Sequence, residues 1–365
     1  MEMHSNPSRG ESTWSDQAPK HSLQSQESGG DIPEQHPGKF VAFMRKIYRP
    51  LGFQKGYNFP LWFIFAGAMF GFSLARSSYM NISGDAYNSY KNGASPGEWY
   101  WYRRDHYRIG ITMHIVTVIP AGLLMVWQFV PVIRHKALIV HRINGYVIMV
   151  LVLFSLIGAL MIARRAFGGT AETQAGIGAL VILTFTSMVM AWLNIKRLQI
   201  DQHRAWMLRG MFYLGTIITL RIIMVISAFA MTAMNNYYTT MPCDEILYLH
   251  DGNQAELLRI YPQCSDIAAL EGGRVVVKAS MTGGYSENVG ASLGLPFGMA
   301  LWLALLMHLI GVEMYLSLTT RETERLRQVS YERQLERGFK NPGSAGLTSD
   351  RWGDVQPWTP ARVGK

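Results

Sequence analysis

The chain has 365 residues but only two cysteines, Cys243 and Cys264, and no cluster of them. It contains no HExxH stretch, so a zinc centre has little to be built from. Only 16% of its residues are charged, and the net charge of +9 is not gathered in a compact basic domain. A nucleic-acid-binding role is therefore not expected. No cleavable signal peptide is visible near the start, because the first apolar run begins only near Phe59 and lacks cleavage-site character.

What the chain does have is apolar sequence, with 49% hydrophobic residues that are sharply segregated. Six runs are long enough to span a hydrocarbon core, which takes about 20 residues. They lie near 59–75, 109–131, 144–163, 175–194, 209–233 and 293–319. The expected fold is all-α, a polytopic membrane bundle of about six transmembrane helices over 58–320, with a non-cytoplasmic loop at 234–292. Residues 1–57, rich in Ser, Gln, Gly, His and Pro, read as a disordered cytoplasmic segment. Residues 321–365 read as a polar cytoplasmic tail.

Lys and Arg set the expected orientation. Arg45, Lys46, Arg49 and Lys55 precede the first run, and Arg134, Lys136 and Arg142 separate the second from the third. Lys196, Arg197 and Arg204 separate the fourth from the fifth, and Arg321, Arg325 and Arg327 follow the sixth. Alternating helices put all four groups on one face, which assigns both termini to the cytoplasm. Arg103, Arg104, Arg108, Arg164 and Arg165 on the opposite face dilute the bias. That opposite face also holds Cys243 and Cys264, a disulfide candidate in an oxidising lumen, and the glycosylation sequon Asn81-Ile82-Ser83. Together these features point to an endoplasmic reticulum or other endomembrane protein.

Two basic turns echo one another. WQFVPVIRHKALIVHRINGYVIMV (127–150) and WLNIKRLQIDQHRAWMLRGMFYLG (192–215) each run from a Trp through a basic connector to His-Arg. Two related helical hairpins explain this, as does convergence on basic cytoplasmic turns.

Charge inside a bilayer is costly and usually faces a partner or a polar cavity. By position, His114, Arg221, His308 and Glu313 qualify. Arg221 sits mid-helix, too deep to snorkel easily. It is read either as one member of an ion pair with Glu313 or as an anchor for a polar substrate group. His203 and Arg221 share a helical phase, which predicts a common cavity-facing side; Arg209 is out of phase. His114 and His308 are read against plain interhelical hydrogen bonds, and His141 and His203 against interfacial residues. Asp105, in the aromatic approach YWYRRDHYR (100–108), is read against an exposed ion pair. A b-type haem needs two histidines at one depth on different helices. His141 and His203 meet that condition on the cytoplasmic side, whereas His114 has no such partner.

The ordered series His114-Ile115, Gln128-Phe129, Arg134, His141-Arg142, Gly145-Tyr146, His203-Arg204, Trp206-Met207, Arg209 and Leu220-Arg221 resembles a widespread predicted-membrane domain over 109–225. Its fungal members resemble the membrane terpene cyclases of ascofuranone-type meroterpenoid pathways. The resemblance implies an isomerase of secondary metabolism that closes a ring on a prenyl chain carried by an aromatic polyketide, starting from a terminal epoxide. It implies a lipophilic substrate in contact with membrane lipids, no metal or other cofactor, and further pathway enzymes on the same membrane.

Such chemistry needs a Brønsted acid and a dry cavity. His203 and His141 are candidate acids, with Asp201 placed to set the charge of His203. Glu313 and Asp105 are alternatives. Arg204, Arg209 and Arg221 suit a phenol, aldehyde or alkoxide oxygen. Trp127, Phe129, Trp206, Phe212 and Tyr213 offer faces to a cation, and His114 joins Arg221, Trp206 and Tyr213 as a substrate-binding candidate. A haem b redox protein and a non-enzymatic lipid or metabolite carrier remain the competing readings.

Overall fold

The computed structural model describes residues 39–53, 58–265 and 272–360. In chain order the elements are α1 (Lys39–Tyr48), α2 (Asn58–Ala75), α3 (Tyr90–Gly93), α4 (Glu98–Tyr102), α5 (Asp105–Gln128), α6 (Pro131–Lys136), α7 (Leu138–Ile162), α8 (Ala171–Lys196) and α9 (Ile200–Met234). There follow β1 (Tyr238–Pro242), α10 (Cys243–Leu249), α11 (Gln254–Ile260), β2 (Arg274–Lys278), α12 (Ser286–Gly294), α13 (Phe297–Leu318) and α14 (Thr320–Glu336).

Six helical stretches are long and apolar enough to cross a membrane: α2, α5, α7, α8, α9 and the pair α12–α13. The chain is an all-α polytopic membrane protein. Local signals set several ends. The Thr170 side chain caps α8 by accepting from the Thr173 N–H at 3.3 Å. Pro131 sits in the first turn of α6, where a missing N–H costs nothing. Asn235, at φ 59°, ends α9 in the left-handed conformation that Asn tolerates.

The helices outrun the apolar stretches that announce them. α9 begins at Ile200 rather than near 209, so its first turns hold Asp201 together with the His203-Arg204 pair that opens it. At 35 residues it spans about 52 Å, well beyond a hydrocarbon core of about 30 Å. Its first turns therefore project past the apolar layer. Lys39–Tyr48 is also helical, although the composition of 1–57 reads as disordered; residues 1–38 and 54–57 lie outside the described residues.

α5 packs along α7, α8 along α9, and α9 along α13, with α2 against α5 and α9. Small residues set the closest approach. A Cβ on Gly158 would lie 2.6 Å from the Gly110 carbonyl oxygen and 2.7 Å from the His114 nitrogen. Gly158→Val should therefore force α5 and α7 apart, at a cost of about 1–3 kcal/mol. A fall in the thermal midpoint of the purified protein reads it, and an unchanged midpoint would show that the helices do not meet there.

Two accessory layers close the bundle. At one end, here the cap face, β1 pairs antiparallel with β2, from Tyr238 opposite Lys278 to Pro242 opposite Arg274. Cys243 and Cys264 are joined in a disulfide 21 residues apart in sequence. Met241, Ile246, Leu257, Val275 and Val277 form the small core of this cap. At the other end, the basic face, the segment that composition reads as a tail is folded. α14 packs on α9, and residues 343–347 return to the α8–α9 turn. There Gln334 Nε2 donates to the Arg197 carbonyl at 2.9 Å and to Gln199 Oε1 at 3.1 Å. The Leu347 N–H donates to Asn194 Oδ1 at 2.8 Å. Buried polar groups need such partners, and these come from more than a hundred residues away, beyond the reach of local pattern.

Candidate functional site

The segment Ser95-Pro96-Gly97-Glu98 opens α4 below the cap. Gly97 has φ +93°, and a Cβ there would collide with Glu245 Oε1, so only glycine fits. Gly290 of α12 leaves equally little room, since a Cβ would lie 2.7 Å from the Pro96 carbonyl oxygen. These two close approaches fix where Glu98 stands.

Glu98 is half-buried. Tyr90 Oη donates to its Oε2 at 3.4 Å, and the Phe167 and Ser95 backbone N–H groups also reach it. Burial pushes the carboxyl up to about 7, opposed by the charge of Arg221 and by those hydrogen bonds. The acid is thus poised between its two forms near neutral pH. Burial likewise holds the phenols of Tyr90 and Tyr102 well above their usual range, so both stay protonated. Tyr102 is 1% exposed, and its hydroxyl has no hydrogen-bond partner among the described residues.

Arg221 comes from the middle of α9. Its guanidinium carbon lies 4.8 Å from the centroid of Phe167 and 5.5 Å from that of Phe297. Those rings stack at 4.2 Å with an interplanar angle of 7°. Phe167 adopts φ 48°, ψ 50°, a left-handed conformation that costs an ordinary residue about 1–2 kcal/mol. The stack with Phe297 and the Arg221 contact are what the strained turn achieves. Arg221 forms no ion pair among the described residues, and its Nη1 is buried without a hydrogen-bond partner. His114, held at Nδ1 by the Ser155 carbonyl and hydroxyl oxygens at 3.0 Å each, stands within electrostatic reach of Arg221. The cluster offers a neutral-pH acid, phenolic donors, an unpaired cation and an aromatic stack.

The cap grips α4 directly. Tyr100 donates its hydroxyl to Asp244, and Trp101 Nε1 donates to Glu245 Oε2 at 3.0 Å. Asp244 and Glu245 directly follow the disulfide residue Cys243. The Glu245 carboxyl is also raised to about 7, chiefly by burial. Arg165 lies 3.5 Å over the Trp101 ring and ties in the turn after α7.

The candidates read from the sequence are distributed over both ends. Arg221 and His114 join the Glu98 cluster. Glu313 does not reach Arg221: it pairs with Arg209, at 2.7 Å from Nε to Oε1 and 3.0 Å from Nη2 to Oε2. Arg221 lies twelve residues beyond Arg209, about 18 Å further along α9, which puts it at another depth. His203 and Arg221 do share a helical phase, but about 27 Å of rise separates them, so no single small cavity holds both. Asp201 is 1% exposed and accepts from Gln199 at 2.8 Å, Gln202 at 3.2 Å and Ser330 at 3.4 Å. Its partners are the returning tail and the α8–α9 turn rather than the His203 ring. His203 Nδ1 is 2.9 Å from the Ala191 carbonyl oxygen. His141 has a buried Nδ1 with no partner among the described residues, and Arg204 donates to Thr319 Oγ1 at 3.2 Å. Trp206 lies under the Arg209 guanidinium at 4.6 Å, and Tyr213 is 4% exposed. His308 meets Thr219 Oγ1 at 2.8 Å, while Asp105 and Asn81 are exposed near the cap face.

Nothing in the sequence singles out Glu98, Tyr90, Phe167 or Phe297, and Tyr102 appears there only as one aromatic of the stretch YWYRRDHYR. The one signal for Glu98 is the Ser-x-x-Glu spacing of Ser95 and Glu98, a capping-box pattern that opens a helix. It lies two residues before the aromatic stretch YWYRRDHYR.

Residues 111–242 match the family model described as "Predicted membrane protein (DUF2306)", a stretch that includes His114, His141, His203 and Arg221 but not Glu98. No solved structure matches the chain. The chain is 23% identical to "Ava biosynthesis cluster protein G" of Aspergillus versicolor over 325 residues, covering 76% of this chain and 94% of that protein. It is an integral membrane protein similar to a protein of a fungal biosynthesis cluster.

Proposed function

We propose that the protein is a metal-independent membrane terpene cyclase that closes a ring on the prenyl chain of an aromatic meroterpenoid precursor. The observation that carries this reading is Glu98, a carboxyl held at about 7 beside an unpaired Arg221. Its place in fungal secondary metabolism rests on the similarity to the biosynthesis-cluster protein. In this account the cap face looks into the endomembrane lumen, where the Cys243–Cys264 disulfide persists.

Glu98 in its acid form gives its proton to the epoxide oxygen as the C–O bond opens. The π electrons of a neighbouring alkene form the new C–C bond, and the positive charge moves along the chain. Loss of a proton from the adjacent carbon quenches it, and the Glu98 carboxylate takes that proton back. No electrons are gained or lost, so the product is an isomer of the substrate. Arg221 Nη1 hydrogen-bonds the epoxide oxygen as it becomes a hydroxyl, or an oxygen of the aromatic head. The half-buried face of Phe167 attracts the passing cation.

Microsomes containing the protein should convert a prenyl-phenol bearing a terminal epoxide into a cyclised product of unchanged mass, with no added metal or nucleotide. Return of the epoxide unchanged would favour a carrier instead. Because the acid form of Glu98 is the active one, kcat should hold below about pH 7 and fall above it. A rate that rises through that range would place another group in the acid's role.

A further inference from the structure

The second His-Arg motif and its neighbours at the basic face are not used by the Glu98 site, yet they gather from five elements. Arg134 ends α6, His141 opens α7, His203 and Arg204 open α9, Tyr315 closes α13 and Glu322 opens α14. The Arg134 side chain makes no hydrogen bond or ion pair among the described residues, and stands within electrostatic reach of Arg204, Arg325 and Glu322. His141 is within reach of both Arg134 and His203. Arg204 spends Nη2 on Thr319, leaves Nη1 buried with no partner among the described residues, and lies 5.8 Å over the Tyr315 ring.

The nearby carboxylate is Glu322, and Arg325 already holds it at 2.8 Å through both of its oxygens. Arg325 bonds Glu322 while Arg134 and Arg204 stand within electrostatic reach of it, so three guanidiniums share one carboxylate, an excess of two positive charges. Like charges held together beside unpartnered N–H groups are unfavourable unless an anion completes them. Arg134 is exposed, so the cluster is open on that side. A fork of guanidinium donors suits a planar or tetrahedral oxyanion, and the charge excess matches the dianion of a phosphate monoester.

We propose that Arg134, Arg204 and His141 form a second, phosphate-binding site at the basic face, with Glu322 as the internal carboxylate that competes with the ligand. The phosphate comes either from an acidic lipid headgroup or from a free phosphate, and both present the same group to the guanidiniums. The site lies at the end of the bundle opposite Glu98, so it acts on how the protein sits in or responds to its membrane rather than in the proton transfer.

The test uses the full chain in phosphatidylcholine nanodiscs, with or without about a tenth of phosphatidate. Binding of fluorescent phosphatidate is measured, alongside the effect of inorganic phosphate in plain phosphatidylcholine discs. Saturable phosphatidate binding is expected, weakened at least tenfold in Arg204→Gln and tightened severalfold in Glu322→Gln, with Arg164→Gln at the cap face unchanged. The tightening in Glu322→Gln is informative because misfolding does not improve binding. Competition by inorganic phosphate at millimolar levels would support a free-phosphate ligand, and its absence a headgroup. The proposal is overturned if neither probe binds saturably, or if Arg204→Gln and Glu322→Gln bind as the unmodified protein does.

Discussion

Glu98→Gln should lower turnover of the epoxide by about a thousandfold, in the range a positioned general acid contributes, while the fold survives. The amide fills the same volume and still accepts from Tyr90 and the backbone; what it lacks is a proton to give. Glu98→Asp keeps the acid but withdraws it by about one methylene, so it should retain part of the rate. Stability supplies a control. The Glu98 and Glu245 carboxyls are raised to about 7 in the folded protein, against about 4.3 for a free Glu. Such groups favour the fold fully below about 4.3, and that contribution is lost as pH rises through 7. Relative to the unmodified protein, Glu98→Gln should take away its share of this downward component and so flatten the thermal midpoint's fall with pH between about 5 and 7. A rate loss together with a flattened slope identifies a titrating acid. A rate loss with a collapsed midpoint at every pH would indicate broken structure instead.

The second large effect concerns the cap. A bond between cysteines 21 residues apart restricts the unfolded chain by about 3 kcal/mol on the chain-entropy model. The cap core is small, and its outer residues grip α4 through Asp244–Tyr100 and Glu245–Trp101. Opening the disulfide, by Cys243→Ser with Cys264→Ser or by a reductant, should loosen that grip and let Glu98 leave its place. Turnover should fall at least tenfold, and limited trypsin should cut at Arg259 or Arg274 before it reaches the spanning helices. If the reduced protein turns over as fast as the oxidised one, the cap does not position the acid.

The bundle could be read from the sequence because a membrane span is a local property: about twenty apolar residues in a row declare themselves. Arg221 stood out for the same reason, as a charge amid Thr219-Leu220 and Ile222-Ile223. Its surroundings did not, because helical phase gives the side a residue faces but not the depth of a partner on another helix. Hence the sequence leaves Glu313 open as one possible partner of Arg221, whereas it meets Arg209. Glu98 was hidden more deeply. It belongs to a five-residue helix outside every apolar run, and its environment is assembled from Phe167, Arg221 and Phe297, brought in by three distant parts of the chain. The folding of the tail is hidden for a related cause: Gln334 and Ser330 are polar positions whose partner, the α8–α9 turn, lies far away in sequence.

The most direct measurement sets the two ends of α9 against each other. Microsomes bearing Glu98→Gln and microsomes bearing His203→Ala are given the same prenyl-phenol epoxide, and cyclised isomer is counted by mass spectrometry against matched protein levels. His203→Ala should keep most of the turnover and Glu98→Gln should lose nearly all of it. Turnover that persists in Glu98→Gln but vanishes in His203→Ala would contradict the account and move the acid to the basic face.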